Sequence, residues 1–187
     1  MQDLEGWLRI VNAFCAKWTS LQRSAFLVAT AERWFPRYVA FSASEGWGDS
    51  DGVRSALDAA WNSLGGDHPD DQTLRHHRGV VVSAAPSADD FDAWDATTAC
   101  HLAGLALDGC AADTRCESVA EAVGATYDAV AEAAPRFPTD PNANRAMWRQ
   151  PAVRAEIGSQ FALMRMLASC SAFGPQIIDA LRRNSVG

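Results

Sequence analysis

From Ser20 to Phe35 the chain has almost no polar face. Leu21, Ala25, Phe26, Leu27, Val28, Ala31, Trp34 and Phe35 recur at helical spacings and cover most of a helix circumference. A helix apolar nearly all round must lie centrally with neighbours on several sides, and no other stretch constrains the fold so strongly. Its one acidic residue, Glu32, is therefore either buried and paired, with Arg33, Arg37 or Arg54 as partner, or a catalytic acid. Pro36 removes a backbone donor, so a break is expected there, with a short helix resuming through Tyr38, Val39 and Phe41. Gly46 and Gly48 bracket Trp47 and permit a tight turn, after which Asp49 is placed to cap a helix striped by Val53, Ala56, Leu57, Ala60, Trp61 and Leu64. The stretch Glu32–Trp61 thus reads helix, break, short helix, tight turn, helix, and the rest of the chain is organised around it.

The flanking segments repeat the helical period. Leu4, Trp7, Leu8, Val11, Phe14, Cys15 and Trp18 stripe a helix over about Asp3–Lys17, and Thr19 with Gln22 forms a capping-box pattern ahead of the central helix. Gly65-Gly66 stops the helix that holds Trp61, and a polar linker, Asp67–Asp71, leads to a weaker one with Leu74, His77, Val80 and Val81. Val80-Val81-Val82 is the single β-like triplet, and helix-compatible residues on both sides argue against a strand. After Pro86, Ser87-Ala88-Asp89-Asp90 has the form of a helix start, and the helix to about Cys110 is lined by Ala96, Ala99, Cys100, Ala103, Ala106 and Leu107, small enough for close helix packing. Asp113 is the expected cap of the next, striped by Cys116, Val119, Ala120, Val123, Tyr127, Val130 and Ala134. Three prolines in Pro135–Pro141 mark a loop. Pro151 opens a helix with Val153, Ile157, Phe161, Met164, Leu167 and Ala168 on its face, and Gly174-Pro175 starts a last one anchored by Ile177, Ile178 and Leu181, with a frayed tail after about Arg183. The expectation is an all-α single domain over residues 1–187, a bundle of about seven to eight helices with mostly antiparallel neighbours.

Composition excludes several functions. A net charge of -7 lacks the basic footprint of a nucleic-acid binder, and no run approaches the roughly 20 apolar residues of a membrane span. The five cysteines include no Cys-x-x-Cys pair and sit in Ala-rich apolar segments, and the opening MQDLEGWLRI lacks a basic, apolar leader, so a reducing, cytoplasmic setting is expected.

Three blocks resemble the bacterial YjaG-like family, a domain of unknown function (number four hundred and sixteen). The first is Ala31-Glu32-Arg33 with Phe35-Pro36-Arg37-Tyr38 and Phe41, continuing through Trp47-Gly48-Asp49 to Leu57-Asp58 and Trp61. The second is Pro86-Ser87-Ala88-Asp89-Asp90-Phe91, and the third is the Pro151-Ala152-Val153 helix start. The resemblance spans about Trp18 to Ser169, with Gly65–Gly79 and Pro135–Pro141 divergent, and implies an all-α cytoplasmic bacterial protein without implying a reaction.

No residue pattern assigns a catalytic, cofactor or metal role outright. Asp89, Asp92 and Asp95 fall three apart, with Asp90 and His101 nearby, a spacing that can place carboxylates on one helix face for Mg²⁺ or Mn²⁺, with Glu32 or Asp58 from across the bundle; capping of a helix start is the plainer account. Gly48-Asp49-Ser50-Asp51-Gly52 resembles the opening of a calcium loop, but position twelve is Ala60 rather than glutamate, which favours a helix cap. His76-His77 reads as solvated and His101, among alanines, as a hydrogen-bonded core residue. Trp47, Trp94 and Trp148 lie near element ends, where they lid the core or form a protein-binding patch. The expected function is a non-enzymatic, accessory or immunity-type module that contacts another protein, with no cofactor, nucleic acid or membrane. The alternative is a metal-dependent hydrolase with Glu32, Asp58, Asp89 and Asp90 as ligands. Since Trp61 closes an apolar stripe, Trp61→Ala is expected to lose roughly 3–5 kcal/mol; a melting temperature within a degree or two of wild type would put that stripe in water.

Overall fold

The first four helices start where side chains supply acceptors for otherwise unpaired amides. Asp3 accepts from Gly6 N at the start of α1 (Leu4–Cys15), and Thr19 and Gln22 close a complete capping box on α2 (Ser20–Glu45). Asp49 accepts from Gly52 N and opens α3 (Ser50–Leu64); Asp70 does the same through Thr73 N for α4 (Asp71–Ala84). There follow α5 (Trp94–Ala111), α6 (Cys116–Glu132), α7 (Pro151–Ser169, with proline at its first position) and α8 (Pro175–Ser185). The computed structural model describes residues 3–87, 93–111, 113–133, 147–170 and 174–185, and no strand occurs among them. The expected helix start at Ser87–Asp90 and the Pro135–Pro141 loop fall largely or wholly outside the described residues.

The centre is α2 packed on α5, the most extensive helix pair. Ala25, Phe26, Leu27, Val28, Ala29, Ala31 and Trp34 of α2 are all buried, as are Ala96, Ala99, Ala103 and Ala106 of α5. The alanines let the two backbones approach closely, as the small-residue pattern predicts. Each large side chain so buried contributes roughly 1.5–3 kcal/mol. Around this pair α3 and α4 lie on one side and α6 and α7 on the other, while α1 joins α6 and α8 joins α2. Gly104 of α5 allows the Arg78 guanidinium to cross its surface and reach Asp108 at 3.2 Å; a Cβ there would overlap the guanidinium.

Several expectations need correction. α2 does not break at Pro36; the helix runs on to Glu45 and ends at Gly46 in the left-handed conformation. The physical reason lies on both sides of the proline. Trp34 and Tyr38 are buried on one continuous face, Arg37 stacks on the Trp34 ring at 4.0 Å, and the Pro36 ring itself points to solvent. Packing on that face outweighs the roughly 3 kcal/mol that an interior proline costs. Asp113 does not cap α6: the capping position is Arg115, and no side chain bonds there. The last helix runs to Ser185, which is buried, two residues past Arg183. Phe161 and Ala168 lie on the exposed side of α7, although the Phe161 ring still meets Trp7 and Phe14 at 6.2 Å. Because a mid-helix proline removes a hydrogen bond and crowds the carbonyl one turn back, Pro36→Ala is expected to stabilise the protein by about 1–3 kcal/mol in denaturant unfolding. A loss of stability would show that α2 needs the curvature proline imposes.

Candidate functional site

Glu32 and Arg33 are adjacent in the most buried helix, and each finds its counter-charge on a different neighbour. The Glu32 carboxylate, 4% exposed, accepts two bonds from Arg54 of α3 at 2.6 and 2.8 Å and a third from the Trp61 indole at 2.8 Å. Arg54 also pairs with Asp58 at 3.1 Å, and Asp58 in turn takes Arg182 of α8. Of the three partners that spacing allowed for Glu32, Arg54 is the one used. Trp61 is buried against α2, as its stripe predicts.

Arg33 turns the other way. It forms a two-pronged pair with Glu156 of α7 at 2.5 and 2.6 Å, and Glu156 is 5% exposed. Gln160, one turn on, donates to Glu156 at 2.9 Å and to Thr126 of α6 at 2.7 Å, and its own oxygen accepts from the Trp7 indole at 2.7 Å. Glu156, Gln160 and Thr126 escaped the sequence reading. Their signal was positional: Glu156 and Gln160 fall three and seven residues after Val153 on an apolar face, and Thr126 falls three after Val123. A polar residue at a stripe position needs a buried partner.

Both carboxyls respond to these partners. Burial alone pushes Glu32 up, but bonds from Arg54 and Trp61 and the charges of Arg54 and Arg182 outweigh it and hold it below the usual carboxylate range. Glu156 follows the same balance: burial raises it, and Arg33, Gln160 and Arg37 bring it below normal.

Of the candidate metal ligands, Glu32 and Asp58 come together, but across the shared Arg54 guanidinium; Asp89 and Asp90 lie outside the described residues, as does Asp92. Asp95 pairs with Arg37 at 2.9 Å. Among the described residues no three His, Cys, Asp or Glu side chains gather closely enough to hold an ion. In the Gly48–Gly52 turn, Asp49 is a helix cap. His101 is not a core residue; it is exposed and lies 3.2 Å from Glu121. The tryptophans divide: Trp148 is buried against Tyr127, whereas Trp47 and Trp94 are 43% and 54% exposed. Only the first is a lid.

Two surface depressions flank the C-terminal part of α2. One, of about 770 Å³, is lined by Phe41, Trp94, Asp95 and Glu132, and its rim at Ala93 and Ala133 adjoins residues outside the described ones. The other, of about 620 Å³, lies between Trp47 and the outer face of α4, with Arg75, His76, Gly79, Val80 and Ser83. Tyr38 fixes its two sides to α2. The hydroxyl donates to Ala84 O at 2.9 Å and accepts from Asp49 N at 3.0 Å, and Gly48, at φ 88°, leaves room that a Cβ would take from that hydroxyl. Among the described residues no helix is long and apolar enough to cross a membrane.

Among the described residues, an all-helical bundle with buried ion-pair networks and aromatic-walled surface depressions defines a class by architecture alone. The chain belongs to the DUF416 family of proteins of unknown function, whose model matches residues 15–186. It is 27% identical over 180 residues to the uncharacterized protein YjaG of Escherichia coli strain K12, covering 87% of this chain and 84% of that one. Its fold is that of a DUF416 family protein from Shewanella baltica OS155, with a TM-score of 0.84 at 19% identity over 94% of this chain and 92% of the other.

The buried carboxylates predict an acid limb. A carboxyl held below its unfolded value of 4.5 adds stability that is present at neutral pH and lost as pH falls through the lower folded value. Stability is expected to be level from pH 7 to 5 and to fall steeply below about 4.5. Glu156→Gln should lower stability at pH 7 by roughly 3 kcal/mol, since it leaves Arg33 unpaired, and should flatten the acid limb. An unchanged limb in that variant would remove Glu156 from the account.

Proposed function

We propose that this protein acts by binding a partner protein, without chemistry of its own, through the cleft between Trp47 and α4. The observation that carries this reading is a large exposed indole beside a depression that is also lined by the Arg75 guanidinium and the His76 ring. Indoles and guanidinium groups dominate the energetics of protein interfaces. The occupant that fits is a segment of the partner with an apolar side chain against Trp47 and an aspartate or glutamate against Arg75 and His76. Overall charge alone, at -7, favours a basic partner, but in the cleft the one carboxylate, Asp49, is taken up in capping α3, which leaves Arg75 as the group that meets an occupant. Arg75 bonds the Asp71 carbonyl only through Nε, at 3.0 Å, and the rest of its guanidinium faces the cleft region without an ion pair among the described residues. Gly79 adds a further point. Mid-helix glycine costs about 0.5–1 kcal/mol against alanine, and a Cβ at Gly79 would meet nothing within 4 Å, so internal packing does not require it. Its bare backbone leaves the helix surface open to an approaching segment. The buried cysteines, Cys15 and Cys100, are free, which suits a cytoplasmic site of action.

The test places a photo-reactive benzoylphenylalanine at Gly79 in the tagged full-length chain and irradiates it in its native cell, with the same residue at exposed Arg9 as control. An adduct formed at position 79 and not at position 9, joined to a partner peptide containing Asp or Glu, is expected and should weaken on Arg75→Glu. The same adducts from both positions, or none from position 79, would overturn the proposal.

A further inference from the structure

Two cysteines meet where α1 ends and α6 begins. Cys15 is the last residue of α1 and is fully buried, while Cys116 is the first residue of α6 and half-buried. One guanidinium holds the two chain segments together. Arg23 donates through Nε to Cys15 O at 3.3 Å and through its two terminal nitrogens to Trp18 O and Thr114 O, each at 2.7 Å. Thr114 is fixed further: its N–H donates to Ser20 Oγ at 2.9 Å, and its hydroxyl lies 2.7 Å from that of Ser24. With Cys15 and Thr114 pinned to one side chain and α1 packed on α6, Cys116, two residues beyond Thr114, stands beside Cys15, close enough for the two thiols to influence each other. Neither cysteine is used by the ion-pair networks or the cleft, and both are reduced.

We propose that Cys15 and Cys116 form a dithiol site that a hydroperoxide converts to an intramolecular disulfide. Cys116 is the residue that reacts first. It is the half-buried member of the pair, at the first position of α6, whereas Cys15 is fully buried. Its thiolate attacks one peroxide oxygen: the S–O bond forms, the O–O bond breaks, hydroxide leaves, and sulfur is oxidised by two electrons to the sulfenic acid. Cys15 then attacks that sulfur. The S–S bond forms, the S–O bond breaks, and the hydroxide leaves with the Cys15 proton as water. Two thiols and one hydrogen peroxide give one disulfide and two waters. Burial, and then the neighbouring Cys116, push the Cys15 thiol up to about 12, so it remains protonated until an electrophilic sulfur is placed beside it. The packing of α1 on α6 makes the second step intramolecular, which compensates for the poor nucleophile. The bond would staple α1 to α6 across about a hundred residues of chain, and loops of that length restrict the unfolded state most.

The experiment treats the full-length protein with a small excess of hydrogen peroxide, unfolds it, alkylates it and maps the peptides. Expected are a Cys15–Cys116 cross-linked peptide, a fall from five alkylatable thiols to three, a higher melting temperature, and reversal of all three by dithiothreitol. Cys15→Ser should leave Cys116 as a sulfenic acid that dimedone labels, and Cys116→Ser should abolish both the cross-link and the label. Five alkylatable thiols after treatment, a cross-link joining other cysteines or two chains, or oxidation unaltered by Cys116→Ser would each overturn the proposal. If Cys15→Ser does not fold, the wild-type peptide map decides alone.

Discussion

A carboxylate and a guanidinium at consecutive positions of a buried helix project about 100° apart and cannot neutralise each other. Burying a charge without a partner costs several kcal/mol, so each must find its own. Glu32 does so on α3 through Arg54, and Arg33 on α7 through Glu156. These two demands settle which helices flank α2 and in what rotation. The chains of contact then extend outward: Asp58 brings in Arg182 of α8, and Gln160 brings in Thr126 of α6 and Trp7 of α1. Six helices are thereby related through two neighbouring residues of α2. Apolar burial supplies most of the stability, but it is non-directional, and the bidentate pairs give it a register.

The fold class was legible because local physics and packing agree over most of the chain. Capping groups at Thr19 and Asp49 and a first-position proline at Pro151 marked helix starts, and the alanine-rich face of α5 foretold its close approach to α2. Pro36 was misjudged because its local penalty was weighed without the buried Trp34 and Tyr38 on either side of it. The start of α6 was misjudged for the opposite reason. Asp113 has the chemistry of a cap, but Thr114, two residues before the helix, is tied into Ser20, Ser24 and Arg23, and the helix begins only after it. Partner choice was the least legible layer: sequence offered three arginines for Glu32, and only assembly selects Arg54. Exposure of Trp47 and Trp94 was equally hidden, since a tryptophan at an element end serves a lid or a patch with the same local sequence.

Continuity of α2 through Pro36 has consequences beyond the helix itself. It carries Tyr38 one turn past Trp34 on the same buried face, and there the phenol joins two elements at once, the end of α4 at Ala84 and the start of α3 at Asp49. Gly48 must lack a side chain for that hydroxyl to fit. The wall and the floor of the surface cleft are therefore both referenced to the central helix. A broken helix would have left Trp47 positioned by a turn alone.

The same electrostatics bear on what the carboxylates of the core can do. A catalytic base at neutral pH works best with its pKa near the working pH, whereas Glu32 and Glu156 are held below the usual range by the guanidinium groups that enclose them. Freeing either oxygen pair would leave an arginine buried without its counter-charge. The energetic logic of these residues is therefore that of fixed cross-links between helices. The proposed binding surface lies instead where burial ends, at the Trp47 indole and the Arg75 guanidinium on α4, in a chain whose net charge is of the other sign.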